Sequence, residues 1–114
     1  MTPILQQVVE AAWDHRADPE AVNNPEVRDA VERTIAELDA GRLRVAERSR
    51  VGQWTVHQWI KKAVLLSFRL NDNRPMQAGQ LGFYDKVPTK FEGLSEGQLR
   101  AQGVRTGPPA VARR

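Results

Sequence analysis

The middle of the chain contains the segment QWIKKAVLLSFRL, which runs from Gln58 to Leu70. Most of its positions are apolar, and only Lys61, Lys62 and Arg69 mark a solvent-facing side. Lys62 and Arg69 are seven positions apart and therefore align on one face of a helix. A helix that is apolar over most of its surface is normally buried. We therefore predict that this segment forms the central, most buried helix of the domain.

Before this helix the hydrophobic pattern changes from helical spacing to alternation. Apolar and polar residues alternate at the two ends of the stretch 43–57, as they do in half-buried strands. The pattern predicts a β-hairpin with strands Leu43–Glu47 and Gln53–His57, joined by a loop at Arg48–Gly52. Trp54 falls on the apolar side of the second strand, so we expect it to face the core.

Two amphipathic helices are predicted at the start of the chain. The first spans Pro3–Arg16, and the second begins after the cap-and-proline signal Asn24-Pro25 and ends at Gly41. A polar linker, Ala17–Asn24, separates them. Facing apolar stripes predict that the two helices pack as an antiparallel pair. The stripes consist of Ile4, Leu5, Val8, Val9, Ala12 and Trp13 in the first helix, and of Val27, Ala30, Val31, Thr34, Ile35 and Leu38 in the second.

Beyond the central helix the sequence predicts irregular structure first and a helix later. The stretch 71–82 predicts a loop, and Phe83–Phe91, which a proline interrupts, predicts an edge strand at most. A short helix is expected to begin at Ser95, where a capping box is complete, and to end at Gly103. The stretch 104–111 is expected to be extended.

These elements predict an α+β domain that is mainly helical, with a two-helix N-terminal hairpin, a β-hairpin, a buried central helix and a short C-terminal helix. A length of 114 residues with 40% hydrophobic residues suits one domain with one small core. The absence of cysteine excludes disulfides and thiolate metal sites. No apolar run approaches the roughly 20 residues of a membrane span, and no secretory signal is present. We therefore expect a cytoplasmic protein without a membrane partner.

Charge is distributed unevenly along the chain. Nine acids and three arginines up to Gly41 give −6, whereas fourteen bases and five acids beyond it give +9. Such a division can indicate nucleic-acid binding, an anionic ligand or two lobes that attract each other. Basic residues lie close to Trp54 and Trp59, but both tryptophans also fit core positions. We therefore rank nucleic-acid binding below the other interpretations.

No arrangement of residues typical of an active site occurs in the sequence. His15 and His57 belong to no metal-binding motif, and the chain has no glycine-rich phosphate loop between a strand and a helix. Ser67 lies inside the predicted buried helix with no base nearby in sequence. We therefore predict no catalytic residue, no metal ligand and no cofactor-binding residue, and we assign no role to the two histidines.

Four blocks of the sequence are more specific than any of these patterns. They are LRVAE at 43–47, GQWTVHQWIKKAVLLSFRLNDN at 52–73, FYDKVPTKF at 83–91 and GVRTGPP at 103–109. In this order they closely resemble the N-terminal domain of bacterial tetrahydrodipicolinate N-succinyltransferases. The resemblance covers nearly the whole chain and is looser over the first twenty-odd residues and over 74–81.

The resemblance implies succinyl transfer from succinyl-CoA to tetrahydrodipicolinate, in diaminopimelate and lysine biosynthesis. It also implies a trimer built on a left-handed parallel β-helix, with the catalytic acids in that β-helix and active sites between neighbouring subunits. Residues 1–107 would form the N-terminal domain, and 108–114 the start of a linker to a β-helix domain that this sequence lacks. We expect the chain to be inactive alone, to bind no cofactor itself, and to partner the β-helix domain of the same or a neighbouring subunit.

The resemblance assigns one site residue to this chain. The arginine of the GVRTGPP block is Arg105, which in the family resembles a binder of the dicarboxylate substrate. A guanidinium presents a planar fork of donors that matches a carboxylate. An ordinary surface arginine remains the alternative at this position. For the chain as a whole, the alternatives are a free-standing interaction or regulatory module and, ranked lower, a nucleic-acid-binding domain.

Overall fold

The computed structural model describes residues 2–114, which divide into two compact units, 2–72 and 73–114. We call these the first unit and the second unit. The prediction of an α+β chain that is mainly helical is confirmed. In chain order the elements are α1 (Thr2–Asp14), α2 (Pro19–Val22), α3 (Pro25–Asp39), β1 (Ala46–Arg50), β2 (Gln53–Val56), α4 (Gln58–Leu70), β3 (Arg74–Ala78), β4 (Leu81–Asp85) and α5 (Glu96–Gln102).

Helix α4 is the centre of the first unit, and its bounds are those predicted from the sequence. It packs against both α1 and α3, and Ile60, Ala63 and Leu66 are at most 1% exposed. Burying a side chain such as Leu66 contributes about 1.5–3 kcal/mol. The core consists of Leu5, Val9, Ala12, Val22, Val27, Ala30, Val31, Trp59, Ile60, Ala63 and Leu66.

Helix α3 begins as the sequence predicts. The Asn24 side chain accepts a hydrogen bond from the Val27 N–H at 3.0 Å, and Pro25 occupies the first turn, where its missing N–H is not needed. The predicted apolar stripe contains the residues that α3 buries, and α3 packs against both α1 and α4. Helices α1 and α3 therefore both contribute residues to the core that contains α4.

The predicted linker Ala17–Asn24 is not entirely irregular, because it contains the short helix α2. Asp18 accepts a hydrogen bond from the Glu20 N–H at 3.0 Å, and Pro19 follows at the first helical position. Val22 is 3% exposed and belongs to the core. Asp18-Pro19 repeats the cap-and-proline signal of α3, so the helix could have been recognised from the sequence.

The first hairpin exists, but its first strand lies three residues later than predicted. β1 is Ala46–Arg50, so three residues of the predicted loop Arg48–Gly52 lie in the strand, and Arg48 lies opposite Trp54. All residues of both strands are exposed, and Trp54 is 67% exposed. The expected core position of Trp54 is therefore wrong. Leu43, which the prediction placed in the strand, instead packs on the core ahead of it.

The second unit contains a hairpin that was not predicted from the sequence. β3 and β4 pair in antiparallel register within the stretch 71–82 predicted as a loop and just beyond it. A two-residue turn joins them, and Gly79 has a φ of +64°, a conformation that glycine adopts without a steric cost. β4 ends at Asp85, so only the first part of the predicted extended segment Phe83–Phe91 is a strand.

Helix α5 has the bounds that its cap signals predict. The Ser95 side chain accepts from the Gln98 N–H at 3.2 Å, and the Ser95 N–H donates to the Gln98 side chain at 2.9 Å. Gly103 ends the helix with a φ of +67°. None of the residues 73–114 is buried, so the second unit has no core of its own.

The end of the chain turns back on the second unit. The expected extended stretch 104–111 is interrupted by a turn at Pro108-Pro109, which the Ala110 N–H closes by donating to the Gly107 carbonyl at 2.9 Å. Beyond the turn, residues 112–114 run antiparallel to 88–90. The Lys90 N–H donates to the Ala112 carbonyl at 2.8 Å, and the Arg114 N–H to the Pro88 carbonyl at 3.0 Å. The predicted domain boundary at 107/108 stays a prediction.

Candidate functional site

Arg105, the one site residue expected from the sequence, lies in the second unit, in the irregular segment that follows α5. Arg105 is exposed, and it has no hydrogen-bond or ion-pair partner among residues 2–114. Two other arginines of this unit are engaged: Arg100 pairs with Glu96 at 3.0 Å, and Arg113 with Asp85 at 2.9 Å. A guanidinium carries five N–H donors and no acceptor, so Arg105 is free to receive an anion.

The segment that carries Arg105 is held at both ends. We call Gly103–Arg113 the Arg105 loop. At one end, the Gly103 N–H donates to the Arg100 carbonyl at 3.1 Å and ends α5. At the other, Arg113 forms a β-bridge with Thr89 and the ion pair with Asp85. A loop whose ends are fixed in this way restricts the positions that Arg105 can occupy.

An apolar groove of about 390 Å³ lies beside the Arg105 loop, within the second unit. Val104 and Thr106, the neighbours of Arg105, line it, whereas Arg105 itself does not. The volume is in the range of small-ligand sites. The apolar surface suits contact with hydrocarbon rather than with a carboxylate, so recognition of an acid would depend on Arg105. The lining residues are Ala78, Leu81, Phe83, Thr89, Phe91, Glu92, Leu99, Val104, Thr106, Ala110, Val111 and Ala112.

The two histidines have local partners. His57 Nε2 lies 2.9 Å from Glu47 Oε1, and this contact joins the end of the first hairpin to its opposite strand. His15 Nδ1 lies 3.1 Å from the Ala11 carbonyl at the end of α1. Within residues 2–114 no group of three or more histidine or carboxylate side chains is arranged to hold a metal ion, and no helix is long and apolar enough to cross a membrane.

One ion pair of the first unit shifts the pKa values of its members. Arg42 donates to both carboxylate oxygens of Glu37, at 2.6 and 3.0 Å. These hydrogen bonds lower the pKa of the Glu37 carboxyl and raise the pKa of the Arg42 guanidinium. The pair closes the turn that follows α3, where the Arg42 N–H also donates to the Glu37 carbonyl at 2.9 Å.

The sequence predicts Arg105 as a site residue, and this stays a prediction; it did not predict the groove or the pairing of Asp85 with Arg113. The groove collects side chains from β3, β4, α5 and the Arg105 loop, and no periodic pattern brings them together. Asp85 and Arg113 lie in separate segments, so their contact follows from the tertiary path of the chain. The sequence feature that could have drawn attention to Asp85 is the FYDKVPTKF block, which contains both Asp85 and Thr89.

Comparison with known proteins gives consistent matches. Residues 4–70 match the family described as Tetrahydrodipicolinate N-succinyltransferase N-terminal. The chain is 67% identical over its whole length to 2,3,4,5-tetrahydropyridine-2,6-dicarboxylate N-succinyltransferase of Variovorax paradoxus, and 65% and 62% identical to proteins of the same name from Paracidovorax citrulli and Bordetella pertussis. The chain spans 42% of the length of each of these relatives.

Proposed function

Because the chain belongs to the tetrahydrodipicolinate N-succinyltransferase family, whose N-terminal region matches residues 4–70, we propose that it is the substrate-binding N-terminal part of a cytoplasmic acyltransferase. The enzyme would transfer a succinyl group from succinyl-CoA to tetrahydrodipicolinate, a step of diaminopimelate and lysine biosynthesis. The amine of the ring-opened substrate would attack the thioester carbonyl, form the amide bond and release the thiol of coenzyme A.

Arg105 is the residue of this chain that would hold the substrate. The observation that supports it is an exposed guanidinium without a partner among residues 2–114, on a loop whose two ends are fixed. A carboxylate can accept two parallel N–H donors from such a group, and these charge-assisted hydrogen bonds fix orientation as well as affinity. Tetrahydrodipicolinate carries two carboxylates, so one of them can bind Arg105 while the amine stays free to react.

The remaining parts of the reaction would lie outside this chain. The chain spans 42% of the length of the relatives it matches. We therefore assign proton transfer and the binding of succinyl-CoA to the rest of the full-length protein, a β-helix domain shared between the subunits of a trimer. The chain contributes a substrate contact, and the domain boundary is expected near residue 107.

A hybrid enzyme tests this division. We would join this chain to the part of the Variovorax paradoxus relative that lies beyond the matched segment, and measure thiol release from succinyl-CoA with tetrahydrodipicolinate present. The hybrid is expected to turn over substrate, whereas the isolated chain is expected to remain at the uncatalysed rate. An inactive hybrid that is folded, or an active isolated chain, would contradict the proposed function.

Substitutions of Arg105 in the hybrid test the site. A charge-assisted hydrogen bond contributes about 1.5–3 kcal/mol, so Arg105→Ala is expected to lower kcat/KM by about ten- to a hundredfold or more. Arg105→Lys keeps the charge but cannot present two parallel donors, so it is expected to recover only part of the loss. Arg100→Ala, in the same unit, removes a guanidinium already paired with Glu96 and serves as the matched control.

Thermal melting of the same variants distinguishes a defect in substrate binding from a defect in folding. An exposed arginine contributes little to the stability of the fold, so both Arg105 variants are expected to have the same melting temperature as the unsubstituted hybrid. Full kcat/KM in Arg105→Ala would show that Arg105 is an ordinary surface residue. A fall in melting temperature that matches the fall in activity would make its role structural.

A further inference from the structure

We propose that the ion pair between Asp85 and Arg113 positions Arg105 for the substrate, so that Asp85 is a positioning residue for the reaction. This inference rests on the proposed role of Arg105 and adds a residue to it. The Arg113 guanidinium lies 2.9 Å from an Asp85 carboxylate oxygen, and the two side chains are 55% and 36% exposed. Asp85 is the last residue of β4, so the pair connects the second hairpin to the far end of the Arg105 loop.

The backbone beside the ion pair shows what it holds. Next to it, Thr89 and Arg113 form an antiparallel bridge, and the Lys90 and Arg114 N–H groups donate to the Ala112 and Pro88 carbonyls. Residues 73–114 have no buried side chain, so hydrophobic packing does little to fix this end of the loop. The ion pair and the two backbone hydrogen bonds are therefore among the polar interactions that anchor the loop there.

The pair would contribute little to overall stability. An exposed ion pair typically contributes little to the free energy of unfolding. Positioning is more sensitive, because a reacting or binding group that is misplaced by about 1 Å can lower a rate by up to a hundredfold. Loss of the pair is therefore expected to change activity more than melting temperature.

Electrostatics and positioning predict opposite changes in the KM for tetrahydrodipicolinate when the Asp85 side chain is removed. Arg74 lies opposite Asp85 on the paired strand. Removal of the Asp85 carboxylate would therefore leave the positive charges of Arg74 and Arg113 without this neighbouring negative charge. A more positive unit attracts a dianionic substrate more strongly, and the charge effect alone would lower the KM for tetrahydrodipicolinate. A loosened Arg105 would raise that KM. The sign of the change therefore separates the two effects.

The experiment uses the hybrid enzyme. Asp85→Ala is expected to lower kcat/KM for tetrahydrodipicolinate by about three- to tenfold, with a higher KM for this substrate and an unchanged KM for succinyl-CoA. Asp85→Glu keeps a carboxylate and is expected to recover part of the loss. Glu96→Ala removes the same charge from the exposed pair with Arg100 and is the matched control, with an unchanged or slightly lower KM.

A double substitution identifies the residue through which Asp85 acts. If Asp85 acts by placing Arg105, then Asp85→Ala is expected to have no further effect once Arg105 is alanine. An unchanged or lower KM in Asp85→Ala, or a full additional loss in the double variant, would overturn the inference and leave the role of Arg105 intact. If Arg105→Ala alone retains full activity, the proposed site itself fails, and the two failures are thereby distinguished.

Discussion

Glu37 and Arg42 show how a single ion pair can close a helix end. Glu37 accepts two hydrogen bonds from Arg42 through its side chain, and its backbone carbonyl accepts the Arg42 N–H. The turn after α3 is therefore held by both side chains and backbone. Because the pair lowers the pKa of Glu37, it also makes a pH-dependent contribution to folding.

The sign of this contribution follows from the direction of the shift. The unfolded chain binds a proton at Glu37 more readily than the folded chain does, so the pair stabilises the fold above the ordinary glutamate pKa. This stabilisation is lost as pH falls through the lowered pKa of the folded state. NMR titration is expected to show the Glu37 carboxyl titrating below its usual range, and Arg42→Gln to return it there. An unchanged Glu37 titration in Arg42→Gln would refute the assigned cause.

Single residues differ in how far the sequence predicts their roles. Arg105 is predicted as a site residue because its block of residues is distinctive, and this role stays a prediction; the residue is exposed and has no partner among residues 2–114. Trp54 was misplaced, because alternation shows which residues share a face of a strand but not whether anything covers that face. Asp85 was not identified, because an ion pair between distant segments leaves no periodic signal.

Elements with complete cap signals were predicted well. α3 and α5 start at Asn24 and Ser95 as expected, because a side chain that accepts an N–H near the start of a helix is a local interaction. α4 was also predicted correctly, because its apolar surface is extensive. The hairpin of β3 and β4 was not predicted, because apolar and polar residues do not alternate along its exposed strands. The glycine at its turn, Gly79, also fits an irregular loop.

The two capped helices differ in what they bury, and this gives an element-scale prediction. Loss of a cap costs about 1 kcal/mol. α3 buries four residues, three of them in the core, and α5 buries none. Asn24→Ala is therefore expected to lower the melting temperature of the chain by about 4–8 °C. Ser95→Ala is expected to shift the main transition much less.

Thermal melting followed by far-UV circular dichroism measures both variants. Ser95→Ala is the matched control, because it removes a cap of the same type from a helix outside the core. Equal shifts for the two variants would mean that α5 unfolds together with the core, contrary to the burial pattern.

At the scale of the whole molecule, the two units are stabilised differently. All eleven core residues belong to the first unit and lie on α1, α2, α3 and α4. The second unit depends on two strands, one short helix and the bridge at the chain end. Fold class could be predicted from the sequence because the first unit follows simple helical patterns. The path of the second unit could not, because local hydrogen bonds rather than an apolar face determine it.

This difference is expected to appear in amide hydrogen exchange. Core helices exchange through global unfolding, whereas regions with few buried contacts open locally at lower cost. Amides of α1, α3 and α4 are expected to exchange slowest, and those of both hairpins and α5 faster. Mass spectrometry of peptide fragments measures this directly. Protection of 73–114 equal to that of α4 would contradict the expectation.

The exposure of Trp54 has a spectroscopic consequence. Trp59 is 4% exposed and Trp13 is partly buried against the core, so Trp54, at 67%, is the indole of this chain that dissolved quenchers reach most easily. Its fluorescence is expected to lie at the red end of the emission band and to be quenched by iodide, while Trp59 emits further to the blue. Any molecule that covers the first hairpin would then reveal itself by a blue shift and a loss of quenching, without an added label.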